Sequence, residues 1–160
     1  WGLRGGIGSS LWSGAPGDYE TETFLLGAAV RLPLGPLTIE GNALWHRART
    51  DTRTAEAVTS RIALPVIAKI GIPLAGERVA LGLGLGIEPR WLVGADGARA
   101  ALGTSPATST MHLPIAAGVD IDLTLATLNL ELRYAHQLEG ELDRSEARQH
   151  ELMILAGVFS

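Results

Sequence analysis

The chain has 160 residues, 46% of them hydrophobic but only 19% charged, with a formal net charge of −4 and no cysteine. That length suits one domain spanning 1–160. The missing cysteines exclude disulfide frameworks and thiolate chemistry, and an acidic balance without a basic patch argues against a nucleic-acid partner. An apolar average calls for a membrane, yet the best helical candidate, 62–75, is shorter than the ~20 residues a span needs. It also carries Lys69 and is broken by Pro65 and Pro73, and the chain as a whole holds 20 glycines and eight prolines, the poorest interior helix residues. The chain begins at Trp1, inside an apparent strand, so it reads as a mature or trimmed sequence without a signal peptide.

Eight segments alternate apolar and polar with period two and are predicted as strands: 2–12, 23–33, 37–48, 58–71, 78–92, 109–121, 127–138 and 149–159. The connections alternate too. Short turns stand at 33–36, 73–77 and 122–126, and longer polar loops at 13–22, 49–57, 94–108 and 139–148. Short turns at one end and long loops at the other are expected of an antiparallel up-and-down transmembrane β-barrel. A sandwich gives no reason for that regularity. An even strand count then sets both termini at the short-turn, periplasmic end.

In the fifth predicted strand Val79, Leu81, Leu83, Leu85 and Ile87 share one face, and Ala80, Gly82, Gly84, Gly86 and Glu88 the other. The third sets Leu37, Ile39, Gly41, Ala43 and Trp45 against Thr38, Glu40, Asn42 and His46. The sixth and seventh divide in the same way. The polar face is sparse, rich in glycine, and holds charges of both signs, and Lys69 is the only lysine in the chain. Such a face suits a narrow interior better than a wet exterior. The inside-out alternative is a soluble ligand-binding barrel. The eighth strand is apolar on both faces from Leu152 to Val158 and cannot be oriented by pattern. Pro65, Pro89 and Pro114 fall within strands, where each removes a ladder hydrogen bond, so bulges are expected there that would switch the faces beyond them.

The inward charges form the candidate site. Arg4, Arg31, Glu40, Lys69, Asp120, Glu131 and Arg133 are expected in the periplasmic half or middle of the lumen. Arg61, Glu88 and Arg90, with His46 and His112, are expected nearer the loops. Charges inside a narrow barrel need partners, so an ion-paired plug is expected, with a gated ion or solute path as the alternative. The inward glycines Gly6, Gly8, Gly82, Gly84 and Gly86 are expected to leave room for long arginines, or else for a small ligand. Trp45, Trp91 and Phe24 at the loop end, with Trp1 and Phe159 at the other, form a predicted aromatic girdle. Trp12 would point inward unless a bulge turns it.

At this level the chain resembles the small outer-membrane barrels of the porin-like, OmpA-type superfamily. The resemblance spans nearly the whole length and rests on four stretches: Gly2-Leu3-Arg4-Gly5-Gly6-Ile7-Gly8, Leu64-Pro65-Val66-Ile67-Ala68-Lys69, Glu131-Leu132-Arg133-Tyr134 and the C-terminal Phe159. Those proteins end on their aromatic, whereas Ser160 follows here. The resemblance implies a Gram-negative-type outer membrane, with lipid and lipopolysaccharide as surroundings and another envelope protein as a possible partner. It implies little about activity, because such barrels serve as anchors, adhesins, enzymes and narrow channels.

Arg133-Tyr134-Ala135-His136 resembles the end of the active-site strand in outer-membrane lipid A deacylases. Those enzymes follow the histidine with Ser-Asn, the serine being the nucleophile, whereas this chain continues Gln137-Leu138-Glu139. Without a hydroxyl beside the base there is no activated nucleophile, so no enzyme activity is expected. The histidines at 46, 112, 136 and 150 lack the close spacing of a metal site. The acidic run 139–143 does not match a dedicated calcium loop. No metal or cofactor is expected.

Overall fold

The computed structural model describes residues 1–13, 20–51, 55–74, 78–98, 105–138 and 148–160, and of residues 12, 13 and 20 the backbone alone. The acidic run 139–143 and the side chain of Trp12 therefore lie outside the described residues.

The strands are β1 (Gly2–Ser13), β2 (Glu20–Leu34), β3 (Leu37–Asp51), β4 (Glu56–Ala63), β5 (Val66–Pro73), β6 (Val79–Asp96), β7 (Ser109–Asp122), β8 (Thr127–Gln137) and β9 (Arg148–Phe159). β4 and β5 are two halves of one stave, divided at Leu64-Pro65, since both lie between β3 and β6 in unbroken register. Every neighbouring pair is antiparallel, and β1 pairs with both β2 and β9. The result is a closed, eight-stave, all-antiparallel barrel. Closure leaves no edge, which is the condition for a sheet to live in lipid.

Period-two patterning dictates the two faces. Leu83, Leu85, Ile87, Leu130 and Ile154 lie exposed on the outside, while Arg4, Glu40, Glu88, Glu131 and Arg133 are buried inside. That is the reverse of a soluble barrel, so the soluble ligand-binding alternative falls and the barrel spans a bilayer. β2, β3 and β6, of 15, 15 and 18 residues, exceed the ~9–11 that cross the hydrocarbon. They extend into stretches whose polar sequence reads as loop.

The short turn between β2 and β3 is two residues, Gly35-Pro36, closing on Leu34 opposite Leu37. Gly35 has φ +68°, the first-position conformation of a type II′ hairpin, and proline's fixed φ suits the next position. Trp1 and Ser160 meet beside one another at this same end through their backbones.

The prolines do not act as expected. Inward parity runs unbroken from Ala63 through Pro65 to Ile67, from Glu88 past Pro89 to Arg90, and from His112 through Pro114 to Ala116. Each proline forfeits its own N–H bond but keeps its carbonyl available. The Asn42 N–H donates to the Pro65 carbonyl (2.9 Å) and the Leu64 N–H to that of Pro89 (3.0 Å). The irregularity lies elsewhere, where Ser60 pairs with Gly94 but Arg61 with Leu92, leaving Val93 as an extra residue in β6. In β9, Gln149, Glu151, Met153, Leu155 and Phe159 point inward and Leu152, Ile154 and Val158 outward, which settles the strand that the pattern left open.

Candidate functional site

Charges from six staves meet in the lower lumen, the half nearer the termini. Glu40 of β3 is its hub. It accepts from Arg4 of β1, from Arg31 Nε of β2 (2.8 Å) and from Lys69 Nζ of β5 (2.8 Å), and it lies 3.9 Å from Arg133 Nη2 of β8. Glu131 of β8 is the second anion. Arg133 (2.7 Å), Lys69 and Arg4 (3.4 Å) all reach it. Arg31 also extends to Asp120 of β7 (3.0 Å). Two amides complete the layer: Asn42 links Arg4 to Glu40, and Asn129 links Arg4 to Asp120. Two of these contacts, Arg31 to Asp120 and Arg133 to Glu40, join staves on opposite sides of the ring, so those side chains reach across the lumen.

An upper layer lies toward the loops. Arg90 is held by Glu88 (2.6 Å) and Glu151 (2.8 Å), and Glu151 faces His46 Nε2 at 3.0 Å. Arg133 joins the two layers, its other nitrogen lying 3.7 Å from Glu88. Arg61 is buried at this level and donates to the Ala107 carbonyl (3.2 Å). His112 is fully buried, and among the described residues neither of its ring nitrogens has a hydrogen-bond partner, nor do the Gln137 amide nitrogen and the Glu88 oxygen that faces Arg133.

Between and beside these layers the lumen is apolar. Leu25, Leu44, Ala63, Ala135, Met153 and Leu155 form one buried cluster. Several inward glycines adjoin this apolar side, and none of the five predicted ones has an arginine beside the place a Cβ would take. A Cβ at Gly8 would meet Met153, one at Gly6 would meet Leu155, and one at Gly84 would meet Ile67 and Lys69. Ion-pair reasoning overlooked Glu151 and the apolar cluster. The signal for Glu151 was its even spacing from Gln149 at the polar start of a strand that is otherwise apolar on both faces.

On the outer wall Trp1, Phe24, Trp45 and Trp91 are exposed, and Phe24 and Trp45 pack edge to face at 6.3 Å. Phe159 is a correction to the expected girdle. It is only 4% exposed and points into the lumen, because it shares parity with Glu151 and Met153. Its ring lies 3.7 Å from the Arg31 guanidinium and 5.5 Å from that of Arg4, a cation–π floor beneath the lower layer.

His136 also faces outward, beside His150 and Tyr134. Gln137 follows it in the chain and turns inward, so no hydroxyl stands directly after the histidine.

An apolar exterior around a charged, crossed lumen defines a small transmembrane β-barrel. No protein-family model matches the sequence, and no characterised protein matches it by sequence. Solved structures do match. Neisserial surface protein A (NspA) superposes with a TM-score of 0.66 at 15% identity, over 99% of this chain and 96% of that one. The outer membrane enzyme PagL gives 0.59 at 11% over 96% and 97%. Ail of Yersinia pestis, crystallised with the heparin analogue sucrose octasulfate, gives 0.50 at 14% over 98% and 96%. At these identities the likeness is one of fold: this chain has the architecture of the small eight-stranded outer-membrane barrels.

Proposed function

We propose that this chain is a non-enzymatic barrel of a Gram-negative-type outer membrane, with both termini on the periplasmic side and a lumen closed by its own ion pairs. Its role is then structural or interactive, as an anchor, an envelope-complex subunit or an adhesin-like surface protein. The observation that carries the closed lumen is Glu40, fully buried and gripped by cations from three other staves. Such side chains fill an eight-stranded interior. Lipid and lipopolysaccharide are the surroundings this exterior fits. Arg47, outward beside Phe24, lines a groove of about 520 Å³ near the loops and suits the phosphates of that leaflet.

Reconstitution into planar bilayers tests the reading, with current at the bare-bilayer baseline and no unitary steps expected. Sustained single-channel steps would favour the second reading, a narrow pore, which draws on the polar atoms of His112 and Gln137 in the upper lumen that have no hydrogen-bond partner among the described residues. Incubation with lipid A, followed by mass spectrometry, tests the absence of catalysis. Any deacylated product would refute it.

A further inference from the structure

β8 and β9 are neighbours, and their register sets His136 directly opposite His150. Both face outward, since Gln137, Gln149 and Glu151 take the inward parity. Two histidines fourteen apart in sequence are thereby brought together, with their Nδ1 atoms 3.3 Å apart and ring centroids 4.8 Å apart. Tyr134, one step back along the same face, brings its Oη within 2.7 Å of His150 Nδ1. Two imidazole nitrogens and a phenol oxygen therefore converge at the loop end of the outer wall.

Tyr134 and His150 share a hydrogen bond, and His136 Nδ1 stands close to the same nitrogen. A neutral imidazole nitrogen either donates one hydrogen or accepts through one lone pair, and His150 Nδ1 has two close neighbours competing for it. A cation between the rings takes one lone pair from each imidazole and turns the Tyr134 hydroxyl aside, because 2.7 Å is too short for two ligands of one tetrahedral centre. Zn–N bonds of about 2.0–2.1 Å at a tetrahedral centre place two nitrogens roughly 3.3–3.4 Å apart, and the observed separation already has that value.

We infer that His136 and His150, with Tyr134 beside them, form a surface site for a borderline divalent transition-metal ion, best matched by Zn²⁺, with water completing the coordination. Imidazole nitrogens select zinc or copper over magnesium and calcium, which prefer clusters of oxygen ligands. The cross-strand flanks are apolar, with Leu113 opposite His136 on β7 and Leu11 opposite His150 on β1. Among the described residues, Arg148, two residues before His150 and exposed, is the nearest cation along the strand. A bound ion staples β8 to β9 where the two strands leave the membrane.

Calorimetric titration of the folded barrel in detergent with Zn²⁺ tests the assignment, alongside Cu²⁺ electron paramagnetic resonance. One ion per chain is expected, with no heat from Mg²⁺ or Ca²⁺ and a copper signal split by two nitrogens. His136→Ala and His150→Ala should each weaken binding at least about tenfold, the lower end of what loss of a mere supporting group costs a metal site. Tyr134→Phe should weaken it less and keep the two-nitrogen signal. Unboiled gel migration identical to wild type shows that each variant is folded. Zinc binding that is absent in the wild type, or undiminished in a folded His136→Ala, overturns the site, as does a copper signal with fewer than two nitrogens.

Discussion

Glu40→Gln removes one charge from the lower lumen and almost no volume, so its effect isolates the electrostatics of the plug. Arg4, Arg31, Lys69 and Arg133 bring four positive charges to that layer, against Glu40, Asp120 and Glu131. Neutralising Glu40 leaves four cations facing two anions in a space with little water. Arg4 and Lys69 keep Glu131, and Arg31 keeps Asp120, so none is stranded outright. Removing one partner of a buried pair typically costs about 3–5 kcal/mol, and this partial cover should place the loss toward the lower figure. Equilibrium urea unfolding from lipid vesicles, followed by tryptophan emission and by the heat-modifiable gel band, reads it directly. Lys69→Met in the Glu40→Gln background should recover part of the loss, because the excess cation is gone. Coupling between neighbours in one network is about 0.5–3 kcal/mol. A Glu40→Gln barrel within about 1 kcal/mol of wild type, or a double variant whose losses simply add, would refute the ion-paired plug.

Leu44→Ala and Met153→Ala, both wholly buried in the lumen, should each cost about 2–5 kcal/mol in the same unfolding assay. Lipid-facing Leu83→Ala should stay within about 0.5 kcal/mol, as surface changes do; equal losses would mean the faces are reversed. At Gly86 an added Cβ runs into the Val66 backbone, while at Gly41 nothing lies within 4 Å. Gly86→Ala should therefore lose about 1–3 kcal/mol and Gly41→Ala remain neutral by gel shift and unfolding. In a variant retaining Trp45 as its sole tryptophan, lipids brominated near the headgroup should quench emission more than lipids brominated deep in the chain. The opposite order would move Trp45 away from the interface.

The architecture was legible because lipid imposes a uniform demand. Every outward position between Val79 and Ile87 must be apolar whatever its neighbours, so period two stands out in the letters alone. Inside, the demand is local and the letters lose their meaning. Leu25 and Leu44 face the lumen but read like any lipid-facing leucine, and in β9 Met153 and Leu155 are indistinguishable by type from Leu152 and Ile154. Only the register against β1, with Arg4 opposite Gly157, fixes which set turns inward, and Phe159 follows that register away from the girdle. The proline bulges were expected on the same local logic. A missing N–H removes one bond, however, and pairing on both sides of Pro65 was enough to hold parity. His136 and His150 were separated by the spacing along the chain and joined by the pairing across it.

The lumen's stratification bears on whether it conducts. An ion entering from the loops meets Arg90 locked between Glu88 and Glu151, then Arg133 bridging both layers, then Lys69 between Glu40 and Glu131. Parting any of these pairs exposes a charge that water would have to solvate, because unpaired buried ions cost several kcal/mol each. Leu25, Leu44, Met153 and Leu155 occupy the side of the lumen where that water would stand. A path therefore requires the apolar side chains to withdraw at the same time as the ion pairs separate. A Leu44→Ala, Met153→Ala double variant supplies the room without touching a charge. If it stays silent in planar bilayers while Glu40→Gln in the same background opens steps, the charges form the seal. If the double variant alone conducts, the seal is the apolar packing and the ion pairs merely line the way.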